Sequence, residues 1–332
     1  MMSKSWCESH EAAVAPQAGL LQMGDVALQR AIPMDVLLNK TKLFATDLQN
    51  PNTLLSAKQL AQLFRNASLL LSRPDLPLVI GQQLLPISLQ HFGLGVMHAA
   101  NVAQALDYLL KAQSLWSPLL HLTALKHEGY LSLYWSDAGA HLDPEEFTLA
   151  VLMEMEALRS ILLWLGIDLH ASEWVFELKS LPANTLSECQ SRWAASPVKT
   201  DCERFALTLP NTLLHEPLKQ ASSSLFYVSE QQVAQLPLSF LGYIQQRLLQ
   251  EIREMPSLET LAEEMAISPA TLKRKLKAHG TSYQKQMDQA RSLMSYHYSH
   301  KLGYSTERVA ESLNFYDTSN FRRAMKRWIL VG

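Results

Sequence analysis

Ile267-Ser268-Pro269-Ala270-Thr271-Leu272-Lys273-Arg274-Lys275-Leu276-Lys277-Ala278-His279-Gly280 is the stretch on which the reading of this chain turns. Ser268 supplies a capping hydroxyl, Pro269 a first helical residue with φ already set, and Gly280 a terminator, so the spacing predicts a helix from Pro269 to about Ala278. Leu272 and Leu276, four apart, face inward with Ile267, whereas Lys273, Arg274 and Lys277 point away. Just upstream, Ser257 can cap a helix whose Leu258, Leu261, Ala262 and Met265 keep the i, i+3, i+4, i+7 rule, with Glu259 near its positive end. A helix, a tight turn and a second helix with a cationic outer face make a helix-turn-helix pattern, whose second helix enters the major groove of a duplex.

The design recurs downstream. Thr306 caps a helix carrying Val309, Ala310 and Leu313. Asn314-Phe315-Tyr316 turns the chain, and Asp317 caps a helix with Phe321 and Met325 inside and Arg322, Arg323, Lys326 and Arg327 outside. Asn suits the turn because its side chain visits the left-handed region more cheaply than most. Between the pairs, Tyr283 to about Tyr298 reads as one helix with Met287, Ala290 and Met294 on a face. A rigid spacer that holds the two outward helices about one duplex turn apart, roughly 34 Å, lets both enter successive major grooves.

Ile267-Ser268, Leu272, Arg274, Leu276-Lys277, Gly280, Ser282-Tyr283 and Arg291 are followed in order by Glu307, Val309-Ala310, Leu313-Asn314-Phe315, Asp317, Ser319, Phe321, Arg323 and Met325-Lys326-Arg327-Trp328. On these residues the stretch resembles the double helix-turn-helix domain of AraC-type (AraC/XylS) transcription regulators. The resemblance implies base-reading positions at Ala270, Lys273 and Arg274 in the first unit and at Thr318, Ser319 and Arg323 in the second. Arginine suits such a place because its fork grips O6 and N7 of guanine. Lys277 and Lys326 are expected to meet phosphates, which position a protein without reading sequence. Two departures stand out: Asn314 occupies a place where the family usually has glycine, and Ile329-Leu330-Val331-Gly332 stands where it carries a glycine, proline and Tyr-Arg ending. A run of Lys and Arg on one helix is ordinarily just a solvated face. The competing reading is therefore a sensor or partner-sequestering protein that does not bind DNA.

Charge is divided along the chain. The formal net charge of 332 residues is -2, yet residues 251–332 hold 13 Lys and Arg against 9 Asp and Glu, leaving 16 against 22 for residues 1–250. A cationic module on an acidic body fits a nucleic-acid reader joined to something that is not one. Cys7, Cys189 and Cys202 have no C-x-x-C spacing and suggest a reducing compartment without a disulfide frame or zinc site. The first residues, Met1 to Glu8, lack an apolar run of signal-peptide type. Phe147 to Ile167, the most apolar long stretch, is interrupted by Glu154, Glu156 and Arg159, which makes it a core helix and not a membrane span.

Residues 1–20 read as a flexible leader, 21–220 as an α+β domain, 221–237 as a linker, and 238–332 as an all-α domain opened by a helix from Leu238 to about Arg253. In the α+β part, Leu119–Lys126 and Tyr130–Trp135 flank His127-Glu128-Gly129, a turn suited to a hairpin. Trp174–Leu178 and Arg204–Leu207 are further strands. Asp143-Pro144-Glu145-Glu146 opens the clearest helix with a cap, an N1 proline and two acids, and Gly166 closes it. At 100° per residue Glu154 falls in that helix's apolar stripe. A carboxylate there must be paired, protonated or wet. It either points into a small-molecule pocket and anchors a cationic or hydroxylated effector, or is a structural pair with a nearby Arg or Lys. From about Pro33 to Leu218, with Phe92-Gly93-Leu94-Gly95, Ala105-Leu106-Asp107-Tyr108 and the Trp174–Leu178 strand, this body also resembles the effector-binding and dimerisation domain of one branch of the same regulators, of the arabinose-binding-domain type.

Enzyme chemistry has no foothold. The 11 His residues are dispersed, no H-E-x-x-H, G-x-S-x-G or P-loop occurs, and the loose set His91, His98, His121 and His127 shows no ligand spacing. No catalytic residue, metal or cofactor is expected. Together these readings predict a cytoplasmic, dimeric regulator that binds double-stranded promoter DNA and is switched by a small molecule. Activation, and with it contact to RNA polymerase, is implied by the resemblance alone.

Overall fold

The computed structural model describes residues 5–14, 20–50, 53–71, 73–88, 93–139, 141–168, 174–234 and 236–329. Two compact units divide the chain, Met1–Ser239 and Phe240–Gly332.

The first unit mixes helices with β1 (Trp6–Cys7), β2 (Ala12–Val14), β3 (Leu55–Ser56), β4 (Leu120–His127), β5 (Tyr130–Asp137), β6 (Val175–Glu177), β7 (Val198–Lys199), β8 (Ala206–Pro210) and β9 (Leu238–Ser239). Its main sheet runs β4-β5-β8-β6-β7, antiparallel except for the β6–β7 pair. His127 pairs with Tyr130, so the hairpin turn is Glu128-Gly129, and Gly129 takes φ +74°, which glycine adopts without strain. This mixed architecture agrees with the α+β reading.

At its centre lies the helix Pro144–Trp164, whose cap Asp143 accepts from the Glu145 and Glu146 N–H groups while Glu146 returns the bond. It is buried almost all round, from Ala150 and Val151 to Ile161 and Leu162, as a helix clothed on both sides must be. The helix Leu76–Ser88 packs on it so closely that a Cβ on Gly81 would stand 2.2 Å from the Met153 carbonyl oxygen. Trp193, stacked on Phe176 with ring centroids 4.0 Å apart, continues the core beside the sheet. Truncating an aromatic so placed costs about 3–5 kcal/mol.

Both ends of the first unit depart from the expected boundaries. Residues 5–14 are not a loose leader: β1 pairs in parallel with β9, β2 pairs with β3, and Trp6 and Val14 are buried. Residues 221–237 are not a bare linker either. They hold the helix Ser223–Val233, capped by Ser222. It buries Phe226, Ser229 and Val233, and the Phe226 ring lies 5.7 Å from Tyr108. Because Leu238 and Ser239 are taken up by the strand pairing, the next helix begins at Phe240 and runs to Gln250.

Among the described residues the second unit is entirely helical: Phe240–Gln250, Leu258–Glu264, Pro269–Ala278, Tyr283–Tyr296 with a π turn at His297–Lys301, Thr306–Ser312 and Thr318–Ile329. Serines 257, 268, 282 and 305 cap four of these, each accepting from the N–H three residues on. The fourth cap is Ser305 and not Thr306, one residue earlier than the spacing suggested. Both tight turns are closed alike. Ala266 and Asn314 take φ +55° and +58°, and the next N–H groups, of Ile267 and Phe315, reach back to the Ala262 and Ala310 carbonyls at 3.0 and 2.9 Å. Met325 lies at the surface; Phe321, Ala324 and Trp328 form the inner row of the last helix.

Candidate nucleic-acid interface and the interior of the first unit

On the Pro269–Ala278 helix, Leu272 and Leu276 are fully buried, which fixes the rotation of the helix and turns Ala270, Lys273, Arg274 and Lys277 to the surface. No carboxylate engages these three cations among the described residues. In the preceding helix Glu264 accepts from Arg247 at 2.7 and 2.8 Å, and that bond holds its carboxyl below the usual range. The outer face is therefore positive, with its charges in water and available to an anion.

The last helix is similar but more committed. Ser319, Arg323 and Lys326 are exposed and Thr318 is half-buried. Asp317 caps it by accepting from the Asn320 N–H at 2.6 Å, and Arg323 donates to the Asn320 side chain. Arg322 lies 4.0 Å from Glu307. Arg327 is exposed as well, but its guanidinium is engaged. Its Nε donates to Asp288 Oδ2 at 3.0 Å, Trp328 Nε1 donates to Asp288 Oδ1 at 3.1 Å, and together they fasten the helix to the spacer. Arg291 of the spacer stands 5.4 Å over the Phe315 ring, an arrangement that supports the second turn. Tyr316, 95% exposed beside that turn, was not singled out from the sequence; an aromatic in a turn carries no periodic signal.

Inside the first unit Glu154 is buried, and among the described residues no cation pairs with it. Trp135 Nε1 donates to its Oε2 at 2.9 Å, Ser117 bonds it as well, and burial pushes its carboxyl up to about 8. At neutral pH it is largely a neutral acid. Two other buried carboxylates of this helix are paired: Glu146 accepts from Arg65 at 2.6 Å, and Glu156 accepts from Arg159 at 2.8 Å, Arg192 at 3.0 Å and Trp193 Nε1 at 2.7 Å. Glu154 approaches a neighbouring cavity of about 110 Å³ only through Ser117, which lines it. The cavity is walled by the N-terminal strands, the Gln113–Trp116 turn, the start of β4 and residues 236–239. His121 lines it too, and burial pulls its imidazole down to about 4, so it is neutral. The other histidines do not join it. His98 bonds the Gln220 carbonyl and His127 bonds Ser132, while His91 lies outside the described residues.

Residues 32–218 match the family model of the arabinose-binding domain found at the N-terminus of AraC transcription regulators. This chain belongs to the AraC-type transcription regulators. Along nearly its whole length the regulator is similar to the ornithine utilization regulator of Pseudomonas aeruginosa, 25% identical over 337 residues, 96% of this chain and 94% of that one. An uncharacterised HTH-type transcriptional regulator of Mycobacterium tuberculosis is 26% identical over 128 residues, 36% of each chain. The crystal structure of the transcriptional regulator CdpR from Pseudomonas aeruginosa aligns over 94% of this chain and 95% of its own, at 19% identity and a TM-score of 0.39. These relatives are regulators and not enzymes. Among the described residues of this AraC-type chain, no group of three or more His, Cys, Asp or Glu could hold a metal ion, and no helix is long and apolar enough to cross a membrane.

Proposed function

We propose that this regulator is a cytoplasmic protein, acting as a homodimer, that reads specific duplex DNA with the helices Pro269–Ala278 and Thr318–Ile329 and is switched by a small molecule held in its first unit. The observation that carries the reading is the outward face of Ala270, Lys273, Arg274 and Lys277 set against an inner row of Leu272 and Leu276. Lys273 and Arg274 read base edges beside Ala270. Lys277 and Lys326 meet phosphates, and Thr318, Ser319 and Arg323 form the second reading set. The helix pairs thus act as two helix-turn-helix units, in a DNA-binding domain opening at Phe240. Similarity to the ornithine utilization regulator supports a role in controlling genes for a nitrogenous nutrient; activation, with contact to RNA polymerase, rests on the family resemblance alone. An effector can do this only by binding one arrangement of the domains more tightly than another.

The test is a mobility-shift titration on the upstream regions of the protein's own and adjacent genes, at two salt concentrations. Saturable, sequence-dependent retardation is expected. Lys273→Ala with Arg274→Ala should weaken specific binding by about 2–5 kcal/mol, since each good bidentate or charged base contact contributes about 1–3 kcal/mol. Lys277→Ala alone should weaken all sequences similarly and lower the salt slope by about one. No retardation at low salt would instead leave a sensor that does not bind DNA.

A further inference from the structure

The cavity beside Ser117 carries two buried polar side chains with hydrogen-bonding capacity to spare. Gln113 is 6% exposed and His121 5%, and both line it. The Gln113 Oε1 accepts from the Leu122 N–H at 2.9 Å. That bond fixes which end of the amide is which and leaves Nε2, with two N–H groups, as a donor. Leu122 follows His121 in β4, so the same bond brings the amide to the strand that carries the imidazole. Burial keeps the imidazole neutral, and a neutral ring has one donor and one acceptor nitrogen. Among the described residues neither the Gln113 Nε2 nor the His121 ring has a hydrogen-bond partner. A buried polar group left unmatched costs stability, and in folded proteins nearly all of them are matched.

The rest of the wall is largely apolar, with Val14, Leu115, Pro118, Leu120, Leu236 and Leu238 among its residues. No Lys or Arg lines it among the described residues, so a carboxylate entering here would lose its hydration without gaining an ion pair. An ammonium offers only donors, and the Gln113 amide nitrogen needs an acceptor. Glu8 and Glu11 line the cavity as well, but each has partners of its own, and the assignment rests on neither. The volume of about 110 Å³ is somewhat below the roughly 150 Å³ that admits benzene, which limits a ligand to about four to six non-hydrogen atoms.

We propose that this cavity binds a short aliphatic molecule with an uncharged head, a carboxamide or a hydroxyl, that accepts from Gln113 and exchanges a hydrogen bond with His121. This deepens the effector reading above and rests on it. Cys7 to Val14 supply one side of the cavity and Leu236 to Ser239 another, and the two are joined through Trp6–Leu238 and Cys7–Ser239. A ligand that binds the closed cavity and not the opened one therefore strengthens the β1–β9 pairing.

The test uses the full chain and four probes with the same alkyl chain and different heads: butyramide, 1-butanol, butyrate and 1-aminobutane. Ligand-observed NMR titration and amide exchange at residues 236–239 are the readouts. Saturable binding of butyramide or 1-butanol is expected, with slower exchange at 236–239, and the two charged probes should bind at least about tenfold more weakly. His121→Leu should weaken the better neutral probe about fivefold, the effect of one lost hydrogen bond, and Ser114→Phe, which fills the space, should abolish binding. Gln113→Leu should also weaken it, but strips the Leu122 N–H of its acceptor. His121→Leu removes no hydrogen bond from the described protein and so keeps the test sound should Gln113→Leu fail to fold. No binding of either neutral probe up to about 50 mM, a charged probe that binds as tightly as a neutral one, or binding unchanged in His121→Leu or Ser114→Phe would overturn the proposal. Operator retardation measured on the same preparations separates the two readings. Intact retardation without probe binding refutes the cavity assignment alone, and probe binding without retardation refutes the DNA reading alone.

Discussion

Replacing Glu154 by Gln should make the first unit more stable, and increasingly so as pH rises. The carboxyl is 2% exposed, receives a hydrogen bond from Trp135 Nε1 and has no cation beside it. Burial lifts its pKa from 4.5 to about 8. Below pH 4.5 the group is protonated in folded and unfolded chains alike and burial carries no ionisation penalty. Between pH 4.5 and 8 the unfolded chain gives up the proton while the folded one keeps it, so stability falls as pH rises. Above pH 8 the loss is complete. At about 1.4 kcal/mol per pH unit, the wild-type chain forfeits roughly 4–5 kcal/mol across this window. Glutamine has the shape of the protonated acid, accepts from Trp135 through its carbonyl, can donate to Ser117 through its amide, and does not titrate.

The assay is urea unfolding followed by tryptophan fluorescence, at pH 5 and pH 8.5. Of the 7 Trp residues, only Trp328 belongs to the second unit, so the signal reports chiefly on the first. The variant's advantage over wild type should grow by about 3–4 kcal/mol between the two pH values. His121, whose imidazole is pulled down to about 4 by burial, works in the opposite direction, since stability falls as pH drops below about 6.5. It is common to both proteins and cancels in the difference. A pH-independent difference, or a variant that is less stable at pH 8.5, would show that Glu154 is ionised and held by a partner, and the neutral-acid account would be wrong.

Gly81→Ala should destabilise the first unit by about 2–4 kcal/mol by forcing the Leu76–Ser88 helix off the Met153 carbonyl; thermal unfolding checks it, and an unchanged midpoint would mean that the two helices are not in backbone contact. Ala266→Gly should stabilise the second unit by about 0.5–1 kcal/mol, since an L side chain at φ +55° is strained, with operator affinity unaltered in the mobility-shift assay. Asp288→Ala should cost about 2–3 kcal/mol by leaving the Trp328 N–H unpaired, read as faster amide exchange over residues 306–329. Most of that loss should persist in high salt, because Arg327 is more than half exposed and contributes little.

What was legible in the sequence was local. Caps, an N1 proline, a closing glycine and four-residue apolar spacing are satisfied within a few residues, and so Ser268, Pro269, Leu272, Leu276 and Asn314 could be placed correctly without coordinates. Ala266 shows where that stops: it performs the task of Asn314, yet alanine carries no sign of a left-handed residue, and only the closing hydrogen bonds reveal it. Met325 was misplaced, and the partner of the exposed Arg327 was not foreseen, for a related reason. Arginine beside Lys326 looks like another solvated charge until Asp288 of the spacer, 39 positions away in the chain, is found beneath it, and Met325 looked apolar enough for the interior until Ala324 and Trp328 filled it. The terminal strand Trp6–Cys7 is two residues long and has no periodicity to read; its partner lies over two hundred residues on.

Glu154 and Glu156 carry the same lesson to the candidate site. On a helical wheel Glu154 fell within the apolar stripe and drew attention, whereas Glu156, about 200° away, fell outside it. Glu156 is nonetheless buried, on a helix packed against Leu76–Ser88 and reached by Arg192 from Ala183–Arg192. Glu154 and Glu156 are both accommodated in the interior, as is Glu146 beside Arg65, and the two meet the cost of burial differently. Glu156 keeps its charge by collecting two guanidinium groups and an indole N–H. Glu154, with an indole and a hydroxyl but no cation, keeps its proton.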